Sequence, residues 1–549
     1  MLAASLFVNV ASLALPFVVL QVYDRMIPFA AMETFTIMMI ALLGILVLEG
    51  IVRTFRTIVL NHCGAALEHQ TSVAAIRHLL SANTLAFEKY STSEYLERLQ
   101  SIDKIREFYA GQSIQLVVDF VFAGFYLALV WVIAGSLVMI PLTLLGIFML
   151  VSFFGGRALR KALVERAALN ERRQNFMIEM LRGIHTVKAT AMEGQIQRRY
   201  ERLQAQSAEG VYRLSRINSM FAGLGMTLAQ TASISFVGIG SYFVINNQLT
   251  IGALAAGTML SGRILQPALQ GMGVWSQYQG LSIAFDDLEE IFDIESEFSE
   301  RTNDEFEING ELELCNVTFR YPQSDAAILR SLNLKIGAGE VIGVTGANGC
   351  GKSTLLSLLM GHLTPQEGEV LLDGREISEI HPNVLRNYVR IMPQQGVIFK
   401  GSILENLTLF REGHHIQDAI ALSQKLGLDR IISRLPDGLD TDVGGTPVGT
   451  ISEGVRQKIV IVRALVGNPK VILFDDANAN FDFKNDNLLL ELMKSYRPHT
   501  TIVIVSHRPA YLRLCDRVYE LSDGGLLATE SYSSPPRKQE TPPMEALSA

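Results

Sequence analysis

Residues 346–354 read GANGCGKST, which fits the phosphate-loop pattern G-x-x-x-x-G-K-[ST]. A strand-like VIGV precedes it and a helix-like LLSLLMG follows. In such a loop the glycines let backbone N–H groups turn towards phosphate oxygens, and the helix N-terminus adds positive partial charge. Gly346, Ala347, Asn348, Gly349, Cys350, Gly351, Lys352, Ser353 and Thr354 are therefore the expected cradle for a nucleoside triphosphate. Lys352 is expected to reach the β- and γ-phosphates, and Ser353 to ligate Mg²⁺. Further on, Val471-Ile472-Leu473-Phe474 is an apolar run ending in Asp475 and Asp476. Asp475 is expected beside the metal, and Asp476 is placed to orient or deprotonate an attacking water.

Something must hold those groups in place. From about Glu311, short β-rich runs alternate with helical segments, for example at 341–345, 370–372, 471–474 and 501–505. That alternation predicts an α/β domain with a parallel sheet. Residues 281–310 are acidic and polar and read as a linker, and the tail after Ser531 is rich in Ser and Pro and reads as disordered. The predicted domains are 1–280, 311–530 and a tail of 531–549, with the linker between the first two.

The first half is of another kind. The chain has 549 residues, 49% of them hydrophobic, which is too long for one compact domain and too apolar for an ordinary soluble enzyme. A bilayer core of about 30 Å needs about 20 apolar residues in helix. Residues 2–23 and 34–52 each supply one run, and the charge-free stretches 120–156 and 217–262 are each long enough for two spans. Their turns are expected at Ala134-Gly135-Ser136 and Asn246-Asn247-Gln248, with the last span continuing past Arg263. That makes six spans. Arg and Lys crowd the loops 53–112 and 157–216, so these loops and both termini are placed in the cytoplasm. Both loops read as helix, extending the spans beyond the membrane. Arg263 either lines a cavity or snorkels from a membrane boundary. Met1 leads into apolar sequence with no basic region and no cleavage signal, so the start is not a secretory signal peptide. Either a segment precedes it or the first span begins there.

Four scattered cysteines, Cys63, Cys315, Cys350 and Cys515, form no C-x-x-C pair. They argue for a reducing compartment and against a disulfide framework or zinc site. The net charge of -8 gives no sign of a nucleic-acid-binding face.

The second half resembles the ATP-binding cassette of ABC transporters. ISEGVRQK (451–458) resembles the signature segment running into its Walker B strand, Ile391-Met392-Pro393-Gln394 the Q-loop, and Ala479-Asn480-Phe481-Asp482 the D-loop. Ser506-His507-Arg508 resembles the switch histidine, and Phe319-Arg320-Tyr321-Pro322 puts an aromatic where the family stacks adenine. In the membrane half, LPFVVLQVYDRMIP (15–28), GIHTVKATAMEGQIQRRY (183–200) and LSGRILQPALQ (260–270) are similar to the type I secretion ATPases, which export unfolded proteins. The resemblance implies an all-α six-helix transmembrane domain with the type I ABC exporter fold, fused to an α/β P-loop nucleotide-binding domain. It implies ATP and Mg²⁺ as cofactors, with Ser353, Gln394 and Asp475 on the metal. Lys352, Gln394, Asp476 and His507 would serve hydrolysis, with Tyr321 on adenine and Asp482 in the D-loop. Ser452, Glu453 and Gly454 would meet the nucleotide of a second half-transporter, identical or different. Ser93–Leu96 and Thr190–Gly194 match the family's coupling positions. Membrane lipid is a partner by location, and a membrane-fusion protein and outer-membrane channel are partners by the same resemblance. The location implied is the bacterial inner membrane, with the cassette cytoplasmic. Export of a lipid or small molecule, or a weakly hydrolysing regulatory half, are the alternatives.

Two positions depart from the family. The usual LSGGQ is ISEGV here, so Glu453 replaces a glycine and Val455 a glutamine, and the usual Walker B glutamate is Asp476. Two unit charges at about 4 Å and an effective dielectric near 20 interact by roughly 4 kcal/mol, so a Glu453 carboxylate aimed at a γ-phosphate would oppose closure. A carboxylate aimed at solvent would change only loop geometry. Asp476 is one methylene shorter than glutamate, and a misplacement of about 1 Å can cost roughly 10²-fold in rate. Cys350 is either an oxidation-sensitive thiol or simply a small residue.

Overall fold

The computed structural model describes residues 2–111, 113–297, 307–322, 324–411, 413–444 and 451–529. The tail expected to be disordered lies outside the described residues. The chain forms two compact units. The first comprises residues 1–82 and 87–295, the second residues 83–86 and 296–549.

The first unit is helical. Its long helices are Met32–Leu80, Thr92–Ala110, Ser113–Ala134, Met139–Arg182, Glu193–Ile245 and Ile251–Phe292. The opening segment is broken into Leu2–Ala11, Ala14–Gln21, a π-turn at Val22–Met26 and Ile27–Phe29. Pro16 accounts for the first break, because it cannot donate to the carbonyl of Ser12. Length and hydropathy mark four stretches as able to cross a membrane: Ala3–Phe29, Met32–Leu80, Thr92–Arg182 and Glu193–Ile245. The third holds two crossings, separated at Gly135, where φ is +56° and a 3₁₀ turn begins. The sixth crossing, Ile251–Phe292, carries Arg263, Gln266 and Gln270, which dilute its hydropathy.

At 1.5 Å per residue the 49-residue helix Met32–Leu80 is about 74 Å long, more than twice the hydrocarbon thickness, so it projects well beyond the membrane. Ile37, Ile40, Val47, Ile51, Phe55 and Ile58 are all exposed on it. Their spacing of three, four and seven draws one apolar stripe, which suits a lipid-facing surface. Arg263 is half-buried and lies twelve residues into its helix, about 18 Å from the helix start. Asp24, from the π-turn, accepts from the backbone N–H of Gly252 at 2.8 Å and the hydroxyl of Thr250 at 2.6 Å. The carboxylate thus closes the N-terminus of the last crossing.

One expectation changes here. The stretch 281–310, read as linker, is helix as far as Phe292, because Leu281, Ala284 and Ile291 recur on a buried face. The two segments matched to the family's coupling positions both lie in the first unit. Ser93–Leu96 lie in the first turn of Thr92–Ala110, closed by a Ser91–Glu94 capping box. Thr190–Gly194 cover the turn at residues 190–192 and the first two residues of Glu193–Ile245, in the first unit. The segment that leaves the helical unit is Asn83–Ala86, which belongs to the second unit, where Leu85 packs on its hydrophobic core.

The second unit contains two main sheets. In chain order its strands are β1 (Leu312–Phe319), β2 (Leu329–Ile336), β3 (Val341–Thr345), β4 (Glu367–Leu372), β5 (Arg375–Glu376), β6 (Val389–Met392), β7 (Gly401–Ser402), β8 (Asp442–Val443), β9 (Val471–Asp475), β10 (Thr501–Val505), β11 (Arg517–Ser522) and β12 (Gly525–Thr529). The larger sheet has the order β12-β11-β3-β10-β9-β6, parallel except for β12. An antiparallel sheet has the order β2-β1-β4-β5. The parallel strands are buried on both faces. Val471, Leu473, Val503 and Val505 enter one core with the phosphate-loop helix, whereas Ile472, Phe474, Ile502 and Ile504 enter the other with the signature helix. That period of two, with both phases apolar, explains why these strands read as unbroken hydrophobic runs.

Candidate functional site

The sheet order brings the separated motifs to one edge. Val505 of β10 lies opposite Val344 of β3 on one side and Asp475 of β9 on the other. Met392 of β6 lies opposite Phe474. The phosphate loop after β3, His507 after β10, Asp475 and Asp476 at the tip of β9 and Gln394 after β6 therefore leave the C-terminal edge of neighbouring parallel strands. Ligands of open α/β sheets bind at that edge.

The phosphate loop has the backbone its glycines permit. Gly346 has φ +150°, and a Cβ there would stand 2.5 Å from the carbonyl oxygen of Leu521. Gly351 has φ +108°, and a Cβ there would meet Ile328 at 2.7 Å. Helix Lys352–Leu359 starts immediately after it, with no side chain capping its N-terminus, so its first N–H groups are free for an anion. The Lys352 ammonium donates to the carbonyls of Gly346 at 2.8 Å and Ala347 at 2.9 Å, folded over the loop. The Ser353 hydroxyl donates to Asp475 Oδ2 at 3.3 Å. Burial, with Asp476 adding to it, holds the Asp475 carboxyl above its ordinary range, against the Ser353 hydrogen bond and the charge of Lys352. An exposed hydroxyl and a half-buried carboxylate are hard oxygen donors of the kind that suit Mg²⁺. Tyr321 lies beside the loop, its hydroxyl 3.2 Å from Thr354 Oγ1 and its ring edge-on to Phe319 at 5.1 Å.

Asp476 has φ +41°, in the left-handed region that Asp tolerates better than most residues. Its N–H donates to Val505 O at 3.0 Å and its carbonyl accepts from Ala479 N at 2.9 Å, which turns the chain directly into the D-loop. Asp482 ends that loop as the N-cap of helix Phe483–Tyr496, accepting from Asn485 N. One turn on, Asp486 is a hub. It accepts from Asn478 Nδ2 at 2.8 Å and from the Tyr511 hydroxyl at 3.0 Å, and pairs with Arg508 Nη1 at 2.8 Å. His507 itself is exposed, as is Gln394.

The signature segment starts helix Glu453–Leu465. Ser452 is its N-cap but its hydroxyl caps no backbone N–H, which leaves both hydroxyl and helix N-terminus available. The position of a Cβ on Gly454 would lie 4.0 Å from Asn480 O, beside the D-loop of the same chain. Glu453 is 51% exposed and pairs loosely with Arg456 at 3.6 Å. Its carboxylate thus has a cationic partner on its own helix. Val455 takes the family's glutamine position and is buried in the core.

Some residues that hold this arrangement carry no motif of their own. Gln457, 1% exposed, donates to Pro393 O at 2.8 Å, tying the signature helix to the Q-loop. Arg463 donates to Val397 O at 2.8 Å and to Asn406 O at 2.9 Å, and Asn406 bonds both backbone groups of Phe399. A Cβ on Gly396 would stand 2.2 Å from Val460 Cγ2, so the loop lies flat on that helix. Gln457 and Arg463 are visible in the sequence as types, but their carbonyl partners are 57 to 66 residues away.

Fold and site together define a membrane-embedded ATPase that couples a phosphate-loop cassette to a helical transmembrane domain. The chain belongs to the ABC transporter family. The family descriptions that match are "ABC transporter transmembrane region" over residues 1–269 and "ABC transporter" over residues 329–479. The chain is 30% identical to the leukotoxin export ATP-binding protein LtxB of Aggregatibacter actinomycetemcomitans over 527 residues, 96% of this chain and 74% of that protein. It is 29% identical to the leukotoxin translocation ATP-binding protein LktB of Mannheimia glucosida over 526 residues, with the same shares. A solved bacterial Atm1-family ABC exporter with ATP bound shares the fold, with a TM-score of 0.86, 21% identity and coverage of 97% of this chain and 95% of that one. The protein is an ATP-hydrolysing exporter of the inner membrane, crossing it several times.

Proposed function

We propose that this chain is one half of a dimeric type I secretion exporter whose cargo is a polypeptide. The observation that carries the reading is similarity to two leukotoxin exporters across 96% of the chain, through both the membrane and the cassette halves. A membrane-fusion protein and an outer-membrane channel would complete the path to the exterior. Expression of this chain with such partners tests it. Release of a polypeptide cargo into the medium, lost in Lys352→Ala, is the expected result. Transport of only lipid or small molecules in vesicles would overturn it.

In this reading two cassettes enclose two ATP molecules head to tail. Lys352 exchanges its two loop carbonyls for β- and γ-phosphate oxygens. Ser353, Asp475 and Gln394 would hold Mg²⁺, which would supply charge neutralisation on the phosphates. Asp476 orients the attacking water, His507 contacts the γ-phosphate, and Tyr321 packs on the adenine. Asp482 lines the dimer interface. Ser452, Glu453 and Gly454 close on the nucleotide of the other half. Binding draws the halves together and hydrolysis releases them.

A weakly hydrolysing role has its own support in Glu453, Val455 and Asp476, all in one chain. A homodimer carries every departure at both sites. A partner with the usual residues leaves Asp476 at one site and Glu453 at the other. ATPase turnover of the purified homodimer separates these, and robust turnover counts against the regulatory role.

A further inference from the structure

A cavity of about 670 Å³ lies within the helical unit, between Ser113–Ala134, Met139–Arg182 and Ile251–Phe292. Its character changes along its length. One part is walled by Phe120, Phe148, Met149 and Phe153. The other part carries Arg157 and Arg160, three residues apart and hence on one helix face. Among the described residues neither arginine forms an ion pair with a carboxylate, and Arg157 lies over the Phe153 ring at 5.4 Å. Trp275 joins this polar end. A Cβ on Gly156 would stand 3.0 Å from the indole Nε1, so the glycine lets the indole lie against the neighbouring helix. One turn earlier the Ser152 hydroxyl is buried, lines the cavity and has no hydrogen-bond partner.

The depth of the cavity is readable. Arg157 ends the charge-free run 120–156, and the basic residues that follow put this boundary on the cytoplasmic side. Trp275 stacks with Tyr278 at 5.7 Å, an aromatic pair of the kind that gathers at the headgroup level. The apolar walls therefore lie in the cytoplasmic leaflet, and the two guanidinium groups lie at its surface.

We propose that this cavity binds an anionic phospholipid of the cytoplasmic leaflet, with its phosphate on Arg157 and Arg160 and an acyl chain against Phe120, Phe148 and Phe153. Charge complementarity selects the occupant. Two cations without carboxylate partners at the end of an apolar slot take an anion that carries a long apolar tail. A phosphodiester accepts guanidinium N–H groups in the paired geometry that arginine offers. Basic pockets between transmembrane helices on the cytoplasmic face recognise anionic headgroups by the same chemistry. The Ser152 hydroxyl and the Trp275 N–H are further donors at that end.

The chain has two tryptophans, which makes the test direct. Trp131 is 66% exposed, and its replacement by Phe leaves Trp275 as the single fluorophore. The W131F chain in phosphatidylcholine nanodiscs is titrated with phosphatidylglycerol brominated on its acyl chain, and with brominated phosphatidylcholine as control. Saturable quenching of Trp275 that favours phosphatidylglycerol by tenfold or more is expected. Arg160→Gln and the pair Arg157→Gln with Arg160→Gln should lower that preference stepwise, while ATP binding at the cassette persists as proof of folding. Equal quenching by both lipids overturns the proposal, as does an undiminished preference in the double variant. Displacement of the brominated lipid by millimolar glycerol phosphate would reduce the site to one for soluble anions. Displacement by an acidic amphipathic peptide at lower concentration than by lipid would assign the cavity to cargo. Either result overturns it.

Discussion

Arg508 and Asp486 form an ion pair at 2.8 Å that joins the turn after His507 to the helix after the D-loop. The Asp486 side chain is 15% exposed and also holds Asn478 and Tyr511. The turn that carries the switch histidine and the loop that follows Asp476 are therefore tied to one carboxylate. Arg508→Ala should leave ATP affinity within about threefold but lower kcat by roughly 10–10²-fold, the cost of misplacing reacting groups by about 1 Å. Parallel ATP-binding and single-turnover measurements separate the two effects. Equal loss in both would mean that the pair serves folding alone.

Lys352 donates to two loop carbonyls, and its removal also costs the charge-assisted contact it would make to a phosphate. Lys352→Ala should weaken ATP binding at least about tenfold, one charge-assisted hydrogen bond being worth about 1.5–3 kcal/mol. Isothermal titration with and without Mg²⁺ checks it, and chelation of Mg²⁺ should weaken binding to the unsubstituted protein as well.

Asp476→Glu together with Glu453→Gly should raise ATP turnover. On the role proposed for Asp476 the longer carboxylate would reach further towards the γ-phosphate, and the glycine removes a negative charge from the signature N-terminus. Turnover unchanged in the double variant would place the slow step outside both positions.

Gly396 lies against Val460 with no room for a methyl group. Gly396→Ala should destabilise the cassette by about 1–3 kcal/mol through overpacking, and Val460→Ala should restore part of the loss in the double variant. Thermal unfolding of the four proteins of the cycle measures the coupling. Additive losses would show that loop and helix do not touch in solution.

His362 is largely buried. Burial pushes its imidazole pKa below the ordinary value, Arg386 adds to this, and Glu297 opposes it. The folded chain then holds the ring neutral at a pH where the unfolded chain would protonate it. Stability is present in full above the ordinary pKa of about 6.5 and is lost as the pH falls from there towards the depressed folded value, by at most about 1.4 kcal/mol per pH unit. The thermal midpoint of the detergent-solubilised protein should fall between pH 7.5 and 5.5, and His362→Gln should flatten that dependence.

Much of this protein was legible in one dimension because its elements obey strong local rules. GANGCGKST needs a strand before and a helix after it, and β3 and helix Lys352–Leu359 supply them. Charge-free runs of double length have few folded forms outside a bilayer, because a membrane admits backbone only as helix or closed barrel. Strands β9 and β10 read as continuous apolar runs because both their faces are buried.

Tertiary structure decided the remainder, and each case turns on partners distant in the chain. The segment of the membrane half that belongs to the cassette unit is Asn83–Ala86, since grouping depends on what Leu85 packs against and not on its own type. The polar ties from Gln457 to Pro393 and from Arg463 to Val397 end on backbone carbonyls, which look alike in every sequence. The left-handed turn at Asp476 and the cavity above Arg157 are set by packing between elements. Sequence determined which groups are present and which elements carry them. Folding decided which of them meet, because contact depends on the paths of whole helices and strands and not on neighbours along the chain.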